Sequence, residues 1–380
     1  MNTRKVPSLK DALAEVCEFR QARGRRYELL SILLLCCVAV MCGYRSQAAI
    51  ADWGTNYGRK WLARLGIKGR RGPSQPTLHR IFKGIDYEQL ERVIARWAEL
   101  VMKSCSGKPS ALEALAVDGK TLCGSQQQGA SDAHLLSALS QRLGVVMAQV
   151  AVADRTNEIG QLDDLLAALV LEGRIITADS LLTQREIAQS IIDGGGDYLL
   201  AVKENQACLR EDIALVFQES KLLEDTITTA RTVDQHGSRI EERRLRASTA
   251  LLGYTDWPGH EQVLEVERII TDKATGAVRR EVAYAITSLS KERASAHQLL
   301  KLWREHWHIE NRLHYVRDVT FDEDHSQART ARIPQVMAAL RNVAISLLRI
   351  CGAENIAAAT RRYAARPALA LAAVGLNLRE

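Results

Sequence analysis

The chain has 380 residues, 47% of them hydrophobic and 25% charged, with a net charge of +6. Those values exclude a disordered polypeptide and leave room for two or three globular domains. The basic excess, with a pI of about 8.9, is compatible with a polyanionic partner but does not require one.

Residues 1–103 read as helical. Leu9, Leu13, Val16 and Phe19 recur at helical spacing. The apolar run Leu29–Cys42 is shorter than the ~20 residues that span a bilayer, so a buried helix is expected. Its cysteines Cys36, Cys37 and Cys42 then act as small buried hydrophobes. No Cys-x-x-Cys pair occurs, so no zinc knuckle is expected, and the location is expected to be cytoplasmic. Ile50, Trp53, Trp61 and Leu62 form a further amphipathic stretch. The basic turn Lys68–Pro73 leads to Ser74, a candidate N-cap for a helix through Thr77, Arg80 and Ile81. Two readings stand here: a DNA-recognition helix with Arg70, Arg71 and Arg80 on the duplex, or a helical hairpin with a solvated loop. A last helix is expected from about Tyr87 to Met102.

After a linker over 104–115, strands and helices alternate, which predicts an α/β core. Leu115–Val117 is a strand leading into Asp118, and Val145–Ala153 is a second. A helix over Leu162–Leu171 precedes a third strand, Arg174–Ala178, which leads into Asp179. A helix over Gln184–Asp193 and a strand over Asp197–Val202 follow. Residues from about 222 to 290 form a β-rich, mostly antiparallel insertion with turns at Gly237, Pro258-Gly259 and Thr275-Gly276. Beyond Ser288 the chain is helical, with a tail over 351–380.

Asp118, Asp179 and Glu310 are the candidate catalytic and metal-ligating acids. A carboxylate following a strand projects from the sheet edge where ligand sites form, although one such Asp is as readily a turn former. Two strand-end Asp and a helix-borne Glu together can hold two magnesium ions, with manganese able to substitute. Such a pair activates the attacking oxygen and stabilises the leaving oxygen in displacement at phosphorus. His306, Glu310 and His314 are four apart and share a helical face. His306 and Arg317 are candidate phosphate contacts beside Glu310, and packing in the core is the alternative for His306 and His314. Lys120 and Lys203 are further candidate phosphate contacts. On the insertion, Arg239 and Arg243 share one strand face and Arg244 and Arg246 the other. They either track a DNA backbone or are simply solvated.

Several words occur in a fixed order: Ala49–Gly54, Pro73–Thr77, Val117-Asp118-Gly119-Lys120, Asn157-Glu158-Ile159, Thr177-Ala178-Asp179-Ser180, Asp197-Tyr198, Lys203-Glu204-Asn205-Gln206 and His306–Asn311, then His314-Tyr315, Asp318–Phe321 and Glu323-Asp324. In this the chain resembles the DDE transposases of the RNase H-like superfamily, and among them the H-repeat-associated insertion-sequence proteins. The resemblance implies a helical N-terminal associated domain over 1–103 and an RNase H-like catalytic domain over 104–350. It implies magnesium-dependent cutting and joining of double-stranded DNA at terminal inverted repeats and target, by a homodimer on the DNA. The protein would then be nucleoid-associated when bound to DNA, with no membrane partner. Related transposases surround the Glu with Tyr, Arg and Lys; Trp303, His306 and Arg317 stand at those spacings here. A nuclease of the same fold and a DNA-binding relic without catalysis are the competing readings. A zinc hydrolase on His306, Glu310 and His314 lacks the His-Glu-x-x-His signature.

Overall fold

The computed structural model describes residues 6–23, 25–105, 112–123, 133–152, 158–219 and 223–376. Asn157 and residues 106–111 of the expected linker lie outside them. The chain divides into two compact units. The first comprises residues 1–111, 119–169 and 309–380, and the second residues 112–118 and 170–308.

Among the described residues nine strands form one sheet: β1 (Glu113–Thr121), β2 (His134–Ser140), β3 (Val146–Val152), β4 (Arg174–Ala178), β5 (Asp197–Val202), β6 (Ile227–His236), β7 (Arg239–Ser248), β8 (Gln262–Asp272) and β9 (Val278–Thr287). Their order is β3-β2-β1-β4-β5-β9-β8-β7-β6. β1, β4 and β5 run parallel, and β9 joins β5 antiparallel. This mixed α/β sheet, with a helical N-terminal region, is the expected fold class. The expected insertion is present as the meander β6–β9, but it does not stand apart: it extends the same sheet through β9. β2 was absent from the sequence expectation. Its residues His-Leu-Leu-Ser-Ala-Leu-Ser are all buried, and a strand buried on both faces loses the alternation that marks strands in sequence.

In the first unit the helix Leu29–Met41 is apolar on every side and almost wholly buried. It packs against the helix Ile333–Ile350. That second helix is long and apolar enough to cross a membrane by length and composition, and 89% of it is buried inside the protein. Cys36, Cys37 and Cys42 are buried and unbridged, as expected. Ser74 does precede the helix Gln75–Gly84, but its hydroxyl pairs with the Thr77 hydroxyl and makes no side-chain cap.

In the second unit the helix Ala296–His306 begins at a capping box, Ser295 with Gln298. Leu299, Leu300 and Leu302 bury its apolar face against a core that includes Leu199, Leu245, Leu264 and Ala285 of the sheet. Burying side chains of this size stabilises by roughly 1.5–3 kcal/mol each, which holds the helix and the His306 at its end in place.

Candidate active site

The second unit brings two of the three acids together. The parallel register of β1 and β4 pairs Val117 with Ala178. The next residues, Asp118 and Asp179, therefore stand side by side at the carboxyl end of that ladder, where open α/β sheets bind ligands. β1 does not stop at Asp118, as the sequence suggested, but continues to Thr121. It is the end of β4 that leaves Asp118 at the edge of the paired region.

Asp179 is held in place by its own neighbours. Its Oδ1 accepts from the Leu181 N–H at 3.0 Å, capping the 3-10 turn Ser180–Leu182. Asn205 Nδ2 donates to the Ser180 carbonyl at 2.6 Å, and Gln206 Nε2 to the Thr183 carbonyl at 3.1 Å. Thr183 Oγ1 donates to the Ala201 carbonyl at 2.6 Å. Thr183, Asn205 and Gln206 thus brace the turn behind Asp179. Residue-type reasoning gave them no role; the word Lys203–Gln206 was a signal for Asn205 and Gln206, and Thr183 had none. Asp197, in another such word, is structural: it accepts from Arg293 Nη1 and Nη2 at 2.8 and 2.6 Å.

His306 belongs to the same group. Its Nδ1 lies 3.0 Å from Thr177 Oγ1 on β4. Burial holds the imidazole below its ordinary pKa, although the charges of Asp118 and Asp179 pull the other way. At neutral pH the ring is therefore a neutral hydrogen-bonding group, not the cation the sequence suggested for a phosphate contact. Two adjacent carboxylates supply the oxygen donors that a hard divalent cation prefers, so the donor set of this unit fits magnesium or manganese.

The first unit carries the third acid. Glu310 opens a π-helical turn, Glu310–His314, and a second, Val316–Thr320, follows. An ordinary α-helix was expected; π turns carry wider hydrogen-bonded loops and concentrate at functional sites. Glu310 is exposed, and its Oε2 lies 3.4 Å from Nδ1 of the buried His314. Gly119 has a steric reason: a Cβ there would lie 2.6 Å from His134 Nε2.

The expected phosphate-binding cations fall into two sets. Arg70, Arg71, Arg80, Lys203 and Arg239 are exposed. The others are committed to acids. Arg317 is fully buried, with Nε donating to Glu323 at 2.6 Å and Nη1 to Gln149 at 3.3 Å. Lys120 is buried, its Nζ 2.6 Å from Asp318 and 3.8 Å from Asp324. Arg243 is held by Asp234 at 2.9 Å and Glu241 at 2.8 Å. Sequence spacing locates a helical or strand face but not the element that packs on it, so it could not separate the two sets.

Comparisons with known proteins bear on the family of the chain. A family model described as a transposase DDE domain matches residues 109–347, and one described as DDE_Tnp_1-associated matches residues 10–98. Over 358 residues the chain is 30% identical to "Putative transposase YncI" of Escherichia coli O157:H7, covering 91% of this chain and 88% of that one. Over 357 residues it is 28% identical to "H repeat-associated putative transposase YhhI" of Escherichia coli strain K12, covering 90% of each. Among solved structures it is similar to the piggyBac transposase in a cryo-EM synaptic complex with hairpin DNA. That likeness has a TM-score of 0.43 and 10% identity, over 98% of this chain and 78% of the other.

Proposed function

The chain belongs to the DDE transposase family, and from that premise we propose that it cuts and joins DNA at the ends of an insertion sequence by metal-dependent phosphoryl transfer. Asp118, Asp179 and Glu310 hold the divalent cations, magnesium in the first place. The bound metal supplies Lewis-acid activation of the attacking oxygen and of the scissile phosphodiester. Asp118 and Asp179 bind from neighbouring strand positions, and the capped turn behind Asp179 keeps its carboxylate from swinging away. His306, pinned to Thr177, fixes the helix end against β4 and excludes water from behind the acids. Residues 1–103 read the element's terminal repeats, using Arg70, Arg71 and Arg80, and residues 104–350 form the catalytic domain, followed by the tail 351–380. Lys203 and Arg239 contact flanking phosphates, and two copies of the chain act together on the DNA.

The observation that carries this reading is the pairing of Val117 with Ala178, which sets Asp118 beside Asp179 at the carboxyl end of a parallel ladder. The test is a cleavage and strand-transfer assay on DNA from the gene's own flanks, with magnesium, manganese or chelator. Asp118→Ala, Asp179→Ala and Glu310→Ala should each reduce cutting by about a thousandfold or more, equivalent to about 4 kcal/mol of transition-state stabilisation. Cutting that survives all three substitutions, or that persists in chelator, overturns the assignment. Repeat binding with no cutting in either metal would favour a DNA-binding relic.

A further inference from the structure

Behind the π turns that begin at Glu310 lies a closed set of buried charges. Lys120, near the end of β1, is 9% exposed. Its Nζ lies 2.6 and 2.7 Å from the two carboxylate oxygens of Asp318, in the second π turn. It also lies 3.8 Å from Asp324 Oδ1. Among the described residues no other cation is within ion-pair distance of Asp318 or Asp324. Arg317 and Arg341 share Glu323. Lys120, Arg317 and Arg341 thus meet Asp318, Glu323 and Asp324, three charges of each sign. All six, with Glu310 and His314, belong to the first unit.

A balanced, buried ion pair adds little net stability. Apolar side chains of similar volume often do as well or better, and the best-attested use of such a pair is to fix register. Register matters at this place. Glu310, His314 and Asp318 follow one another at intervals of four, and Glu310 Oε2 lies 3.4 Å from His314 Nδ1. Asp318 therefore continues the side of the helix that presents Glu310. Both turns along that side are π-helical, a geometry that ordinary helices adopt only rarely. Relaxing either turn to α geometry would rotate Glu310 about the helix axis relative to Asp318. Among the described residues two side-chain contacts tie the second π turn to the sheet. Arg317 Nη1 reaches Gln149 of β3 at 3.3 Å, and Asp318 meets Lys120 of β1 at 2.6 Å. The second is the shorter and joins two charges, which makes it the stronger hold.

We infer, on the reading of Glu310 as a metal ligand, that Lys120 is a positioning residue for it. By gripping Asp318, Lys120 keeps the two π turns in register against the end of β1, and so presents the Glu310 carboxylate to the cation. This role replaces the expected phosphate contact: Nζ is buried between carboxylates, which would repel a phosphate.

The test compares the full chain with Lys120→Met/Asp318→Asn, which removes one charge of each sign and leaves the rest of the set balanced. Manganese affinity is read by electron paramagnetic resonance without DNA, the turns by amide hydrogen exchange over Glu310–Thr320, and the fold by urea unfolding. The double variant should unfold near the wild-type midpoint and exchange faster over the π turns. It should bind manganese about tenfold more weakly, the usual cost of losing a group that orients a metal ligand. In a Glu310→Ala background the same two substitutions should weaken manganese binding no further, because groups that act through one another are not additive. If the double variant unfolds early, Asp318→Asn alone, which leaves Lys120 beside Asp324, carries the same expectations. Wild-type manganese affinity in these variants overturns the inference, as does an equal further loss in the Glu310→Ala background. Weaker DNA binding with unchanged manganese affinity and exchange would make Lys120 a phosphate contact instead. Failure of the metal-site reading looks different: Glu310→Ala would then bind manganese like the wild type, and exchange over the turns alone decides whether Lys120 holds them.

Discussion

Two arginine–glutamate networks occupy this protein under opposite conditions. In the first unit, Glu91, Gln149, Arg317, Glu323, Arg341 and Asn342 form a buried web. Gln149 Nε2 donates to Glu91 at 2.9 Å, while its Oε1 accepts from Asn342 at 2.8 Å and Arg317 at 3.3 Å. In the second unit the antiparallel register sets Arg244 opposite Glu267, Arg246 opposite Glu265 and Arg268 opposite Glu281. There the side chains of Arg231 and Arg244 remain 64% and 51% exposed. The residue types match, but their energetics do not. Exposed cross-strand pairs mainly specify register and solubility. The buried web has no water to fall back on, so each member depends on the others.

The sharpest way to break the comparison is Glu323→Ala, which strips the shared carboxylate from two buried guanidiniums. It should cost about 3–5 kcal/mol in urea unfolding. A loss as small as that of a surface pair would mean that water reaches the web.

A second experiment uses pH. Burial raises the Glu91 carboxyl to about 8 from 4.5. Between those values the folded chain keeps a proton that the unfolded chain has released, so the Glu91 contribution to stability falls as pH rises and levels off above about 8. Glu91→Gln, which keeps the acceptor for Gln149, should remove that slope and stabilise the protein by up to a few kcal/mol at pH 8.5 relative to pH 5. Identical slopes in both proteins would show that Glu91 stays charged when folded.

The smallest effect belongs to the surface. Arg244→Gln should change stability by less than about 1 kcal/mol, and the difference should shrink at high salt. A salt-independent loss of several kcal/mol would place Arg244 among the buried cations.

Much of this was legible in the chain itself. The apolar runs before Asp118 and Asp179 mark strands because parallel strands buried on both faces read as unbroken hydrophobic stretches. The meander showed through its β-rich composition and its turns at Gly237, Pro258-Gly259 and Thr275-Gly276. The all-apolar helix Leu29–Met41 could only be an interior one. The words after Glu310 were also visible, but their meaning was not: Asp318 holds Lys120, and Glu323 holds Arg317 and Arg341.

By itself the sequence determined most of the elements, the order of the acids and the family, because these follow from local periodicity and from residues adjacent in the chain. Only the tertiary structure decided that β2 lies in the sheet, that the meander continues it, that Glu310 stands on a π turn, and which basic residues are spent internally. Those outcomes depend on partners far away in sequence, such as Gln149 for Arg317 or Glu323 for Arg341. A charge at the end of a long side chain is worth little in water and a great deal once burial removes it, and burial is a property of the packed chain.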